Sequence, residues 1–126
     1  MNVKLIMKVV ILLISSQLIA FNTLAKEPSN CGKRGPSKST GELDNFRDAK
    51  VNATKGGSKL VTFNNNERRL PQVGNNETYY EFDLGRDGFD GRGAHRAVIL
   101  VQEGTKNKLI KSYFTQDHYS TFCVID

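Results

Sequence analysis

The sequence predicts an α+β domain: one N-terminal helix packed on a four- or five-stranded antiparallel sheet. Two observations predict it. Apolar residues recur at helical spacing just after residue 40, and from Lys59 onward the period changes to two, with polar turns between short runs. Ser39-Thr40-Gly41-Glu42 opens the helix, with Ser39 as N-cap and Glu42 three residues on completing a capping box. Leu43, Phe46 and Val51 give the apolar stripe to about Lys50, and Gly56-Gly57 ends the pattern. Strands follow at residues 60–63, 78–84, 95–102, 109–114 and 119–125. The second is the clearest: Tyr80, Phe82 and Leu84 point one way, to the core, while Tyr79, Glu81 and Asp83 point to a polar face. Residues 85–93 hold four glycines and read as a long loop.

The domain occupies residues 26–126, because residues 1–25 read as a secretory signal peptide. Lys4 and Lys8 make a positive start, residues 9–20 are almost wholly apolar, and Thr23-Leu24-Ala25 offers small residues for cleavage. The apolar run is shorter than the roughly 20 residues a membrane-spanning helix needs, so a secreted protein, extracellular or periplasmic and without a membrane anchor, is expected. Without Lys4 and Lys8 the chain has sixteen basic and thirteen acidic residues, a mild excess that favours an anionic partner only weakly. Residues 26–39 are polar and read as a mobile lead-in. Cys31 and Cys123 can form a disulfide in an oxidising compartment, or remain two thiols.

The chemistry lies in the second half. Glu81 is a strand carboxylate, Arg92 and Arg96 stand four apart across a loop-to-strand junction, and His118 sits in a turn before the last strand. Each has a plain structural reading as a solvated or cross-strand-paired residue. Together they are the set that cleaves RNA through its own 2′-hydroxyl. A carboxylate takes the 2′-OH proton, an imidazolium protonates the departing 5′-oxygen, and guanidiniums hold the phosphate. His95, the other histidine, should face away from Arg96. Asn64-Asn65-Asn66-Glu67 reads either as a plain polar turn or as a loop recognising an unstacked base. There Glu67 would accept from guanine N1–H and its amino group, and Tyr119 would stack. Two cysteines and two histidines, widely spaced, make no zinc pattern, and the glycines make no phosphate loop. No cofactor is expected.

In this order, four segments resemble the small secreted microbial ribonucleases of the barnase/binase type and their guanyl-preferring relatives. They are Phe63-Asn64-Asn65-Asn66-Glu67-Arg68-Arg69-Leu70-Pro71, Tyr79-Tyr80-Glu81, Gly91-Arg92-Gly93-Ala94-His95-Arg96, and Asp117-His118-Tyr119-Ser120-Thr121-Phe122. The resemblance covers roughly residues 60–126. It implies Glu81 as general base, His118 as general acid, Arg92 and Arg96 as phosphate-binding residues, Asn65 and Glu67 in the guanine loop, and Tyr119 beside the catalytic histidine. It also implies transphosphorylation to a 2′,3′-cyclic phosphate, slower hydrolysis to a 3′-phosphate, single-stranded RNA as substrate, and an acidic inhibitor of the barstar type as a possible intracellular partner. The chain departs from the pattern in three places. Asn66 stands where relatives usually carry arginine, the helical region is short, and the hairpin between Arg96 and His118 is long, its extra residues 103–108 expected to project from the sheet edge. Two rival readings share the scaffold: a non-catalytic secreted RNA- or protein-binding module, and a ribonuclease toxin delivered to other cells. Nothing in the sequence demands more than a monomer.

Overall fold

The structure, a computed structural model, describes residues 25–85 and 93–126. The leader read over residues 1–25 lies outside the described residues apart from Ala25, and so do Arg92 and most of the glycine-rich loop. Helix α1 spans Glu42–Lys55. Strands β1 (Val61–Thr62), β2 (Glu77–Asp83), β3 (Arg96–Gln102), β4 (Lys108–Thr115) and β5 (Cys123–Ile125) form one sheet in chain order, each pair antiparallel. The expected helix-on-sheet architecture is the observed one.

Helix α1 buries Phe46, Ala49 and Ala53, a stripe at i, i+3 and i+7. These pack on Leu84, Ala97, Ile99, Val101 and Phe114, with Tyr80 and Phe82 at the margin. Val51, expected in the stripe, is instead 50% exposed. The capping box does not form either. Gly41, in the left-handed region at φ 82°, is the N-cap, and Ser39 bonds Ser37. Glu42 is drawn inward, 5% exposed, where its carboxylate meets the His95 ring and the Thr40 hydroxyl. A buried carboxylate needs partners more than the helix start needs its cap.

The other face of the sheet is not simply polar. It carries a second apolar cluster of Leu70, Tyr79, Val98, Leu100, Tyr113 and Val124, bordered by Phe63, Tyr119 and Phe122. Tyr79 donates to the Pro71 carbonyl at 2.7 Å, and Tyr113 to the Glu27 carboxylate at 2.9 Å. Burial, first of several causes, pushes the Tyr79 hydroxyl up to about 12 and raises Tyr113 as well. A tyrosine held neutral in the fold contributes stability that is complete below its ordinary value near 10. That contribution is lost as pH climbs through the raised value. The melting temperature should therefore fall between about pH 10 and 12, and fall less in Tyr79→Phe/Tyr113→Phe; melting curves across that window check it.

Residues 26–39 were expected to be mobile, and the structure overturns this. Cys31 N–H donates to the Val124 carbonyl and Val124 N–H to the Ser29 carbonyl, both at 2.9 Å, so Asn30 bridges Val124 in parallel. Asn30 also bonds Asp126, Glu27 pairs with Lys111, and Cys31 is disulfide-bonded to Cys123. The β5 edge thus gains a short neighbour, which shields it from other chains. The bridge closes a loop of sequence separation 92. Cys31→Ser/Cys123→Ser should lose about 4 kcal/mol of unfolding free energy in the chain-entropy treatment, read as a lower urea midpoint.

The long β3–β4 hairpin does not project from the edge. Its tip turns back to the helix C-terminus, where Asn107 donates to the Ala53 carbonyl at 3.2 Å and Tyr80 to Glu103 at 2.7 Å. Gly56, at φ 74°, ends the helix there, and its missing side chain leaves room for Asn107, whose Nδ2 would lie 3.2 Å from a Cβ.

Candidate active site

The register of the sheet decides which side chains meet. Asp83 lies opposite Arg96, Glu81 opposite both Val98 and Val61, and Phe63 N–H bonds Tyr79 O. Opposed residues share a face, so Glu81, Asp83, Arg96 and Phe63 all stand on the face away from the helix. His95 points to the helix side, its ring edge against Phe114 at 5.6 Å, as the alternation predicts.

Arg96 is 3% exposed and well anchored. Its Nε lies 2.8 Å from Asp83, and Nη1 donates to the carbonyls of Gly93 and His95 at 2.9 and 2.8 Å. A buried guanidinium requires this density of acceptors.

The turn carrying His118 is built around Thr115 and Asp117. The buried Thr115 hydroxyl donates to Asp117 at 2.9 Å and accepts from Tyr119 N–H at 3.1 Å. Asp117 accepts from Thr121 N–H at 2.8 Å and from its hydroxyl at 2.6 Å. The Thr121 hydroxyl, foremost among these partners, holds the Asp117 carboxyl below the usual aspartate range. His118 N–H donates to Ala94 O at 3.0 Å, tying the turn to the segment that enters β3. His118 and Tyr119 both adopt positive φ, 52° and 75°, and they break the last strand, which is why β5 begins only at Cys123.

Tyr119 stacks on Phe63 with centroids 5.2 Å apart at 27°, and its ring lies 4.9 Å from that of His118. Its hydroxyl is raised above the ordinary tyrosine value, by burial first and then by the Glu81 carboxylate, while Arg96, bonded to it, pulls the other way. Glu81, Arg96 and Tyr119 are therefore electrostatic neighbours.

The loop after β1 closes the other side. Asn65, at φ 53°, spends its carboxamide on one residue: Nδ2 donates to Leu70 O at 2.8 Å and Oδ1 accepts from Leu70 N–H at 3.1 Å. Asparagine tolerates this left-handed conformation better than most residues. Asn65 thus shapes the loop with its side chain, and its backbone carbonyl accepts from Arg68 N–H at 2.9 Å. Glu67 is exposed and held by Arg69, with Nε–Oε2 2.9 Å.

These parts enclose an open cleft of about 500 Å³. Glu81, His118 and Tyr119 line one side and Asn64, Asn65, Asn66 and Glu67 the other, with Phe63, Arg69 and Ser120 between them. Every predicted site residue that the structure describes lies at this cleft, except Arg96, which is buried beneath Tyr119. Phe63 and Arg69 were not picked out from the sequence. Phe63 shares a face with Glu81 only once the register is known, and Arg69 is legible only as the partner of Glu67. Among the described residues no three His, Cys, Asp or Glu side chains gather as a metal site.

Among the described residues, a five-stranded antiparallel meander packs against one α-helix, with a carboxylate, an imidazole and a polar loop around one opening, an α+β architecture. The family model of the ribonucleases matches residues 25–126, and the chain belongs to that family. No curated protein matches it. The protein is accordingly an RNA-cleaving enzyme of the microbial ribonuclease fold.

Proposed function

We propose that the protein is an exported endoribonuclease that cuts single-stranded RNA after guanosine, without a metal. The observation that carries this reading is the convergence of Glu81, His118, Tyr119 and the 64–67 loop on one cleft from separate segments of chain. Glu81 takes the proton of the 2′-hydroxyl, and the resulting alkoxide attacks phosphorus. Arg96, with Arg92, which lies outside the described residues, carries the charge that builds on the phosphoryl oxygens. His118 gives its proton to the departing 5′-oxygen, leaving a 2′,3′-cyclic phosphate. In the second step His118 takes a proton from water, Glu81 returns one to the 2′-oxygen, and a 3′-phosphate is released. Guanine is selected because only it offers an N1–H and an amino group side by side to Glu67. The Phe63–Tyr119 stack supplies an apolar wall for the base.

Phosphorus NMR of a GpA digest tests the reaction. A cyclic phosphate signal should rise first and a 3′-phosphate replace it slowly; direct appearance of a 5′-phosphate would exclude the 2′-hydroxyl route. The rate should follow a bell-shaped pH profile set by one carboxylate and one imidazole. Asn65→Asp puts a second acceptor against the Leu70 carbonyl, and kcat/KM on GpA should fall roughly tenfold, with melting temperature measured alongside to separate loop distortion from unfolding. The leader reading and the Cys31–Cys123 bridge favour an oxidising destination. An acidic inhibitor of the barstar type in the producing cell belongs to the same reading.

A further inference from the structure

A second cleft, of about 530 Å³, lies across the base loop from the first. Both are lined by Thr62, Phe63, Asn64, Asn65 and Asn66, so this one segment forms the wall between them. The far side is closed by Arg68, Gln72, Val73, Glu77, Thr78 and Tyr79. We infer that this cleft binds the nucleotide immediately 5′ of the guanosine. The inference extends the guanosine reading and rests on it.

The lining suits a nucleotide. Val73 is 44% exposed and Phe63 is half-buried, giving apolar surface for a base to lie on. The Tyr79 hydroxyl is committed to Pro71, and its ring is almost wholly buried beneath the cleft. Gln72 brings an amide group to the edge of a base. Glu77 is turned to Gly74 N–H at 2.6 Å. Arg68, held at φ 55° with its N–H on Asn65 O, makes no ion pair with any described residue, and its guanidinium can meet the phosphate that links the two nucleosides.

Strand direction follows from the chemistry. The nucleotide 3′ of guanosine departs beside His118, and His118 and Ser120 line the first cleft alone. None of Glu81, His118 or Tyr119 reaches the second cleft. Of the two ends of the bound RNA, only the 5′ end is left to cross the loop. Asn66, where arginine was expected from the resemblance, faces both clefts, and its short side chain leaves that crossing open.

The test compares GpA with ApGpA, cut after the same guanosine, in the wild type, Arg68→Asn and Gln72→Ala. Asparagine is chosen at position 68 because it accepts positive φ. The wild type should show kcat/KM at least fivefold higher on ApGpA. Each variant should shrink that advantage, and the double variant should remove it, with GpA cleavage unchanged throughout. Calorimetry with 3′-GMP and with ApG-3′-phosphate gives the same comparison without turnover: the longer ligand should bind at least fivefold tighter to the wild type only. Equal rates on the two substrates in the wild type, or an advantage that survives both substitutions, overturns the inference while leaving the guanosine reading intact. Failure to cleave GpA at all refutes the guanosine reading, and this inference with it.

Discussion

Replacing His118 by asparagine should lower kcat/KM on RNA by about a thousandfold, within the range general acids contribute, while the melting temperature stays near wild type. The choice of residue matters. His118 sits at φ 52°, where alanine is strained by roughly 1 kcal/mol and asparagine is tolerated. His118 N–H holds Ala94 O through the backbone, so that link survives either substitution. His118→Ala should lose the same activity and melt slightly earlier. The pair of variants thus separates the imidazole from the turn. A residual rate within tenfold of wild type would remove His118 from the chemistry.

Arg96→Ala should be the most damaging single change, because it strikes stability and turnover together. The guanidinium is buried and held by Asp83 and two carbonyls. Its loss leaves those acceptors without their donor. Breaking such a pair costs about 3 kcal/mol, the lower end of the usual range, since Asp83 is partly exposed. Turnover should also fall about a hundredfold or more, as when one transition-state donor is removed. Arg96→Lys keeps the charge but cannot reproduce the fork, and should recover part of the stability and little of the rate. Urea unfolding and kcat/KM on the same preparations check both. Unchanged stability in Arg96→Ala would contradict the anchoring role.

Much of this was legible in the residues, and the failures have physical causes. The alternation through Tyr79, Tyr80, Glu81 and Phe82 assigned β2 and its faces because a strand has a fixed period. His95 and Arg96 were separated for the same reason. The capping box at Ser39 failed because its Glu42 had a stronger claim from His95, more than 50 residues away in the chain. No local rule registers such a competitor. The 26–39 segment reads as polar and loose, yet its backbone pairs with β5 and its cysteine with Cys123; those contacts are non-local. The hairpin tip failed likewise, through Asn107 reaching the helix end. At the cleft, residue types were legible and geometry was not. Asn65 was legible as a residue of the base loop, but not that its carboxamide is bound to Leu70 and so shapes that loop. Phe63 became a site residue only through a register that sequence does not display.

The most direct test of the central claim is cleavage of GpA, ApA, CpA and UpA by the mature protein in EDTA, with His118→Asn in parallel. The account predicts rapid release of guanosine 2′,3′-cyclic phosphate from GpA, far slower cleavage of the other three, and loss of all four in the variant. Equal cleavage of all four, dependence on an added metal, or full activity in His118→Asn would contradict it.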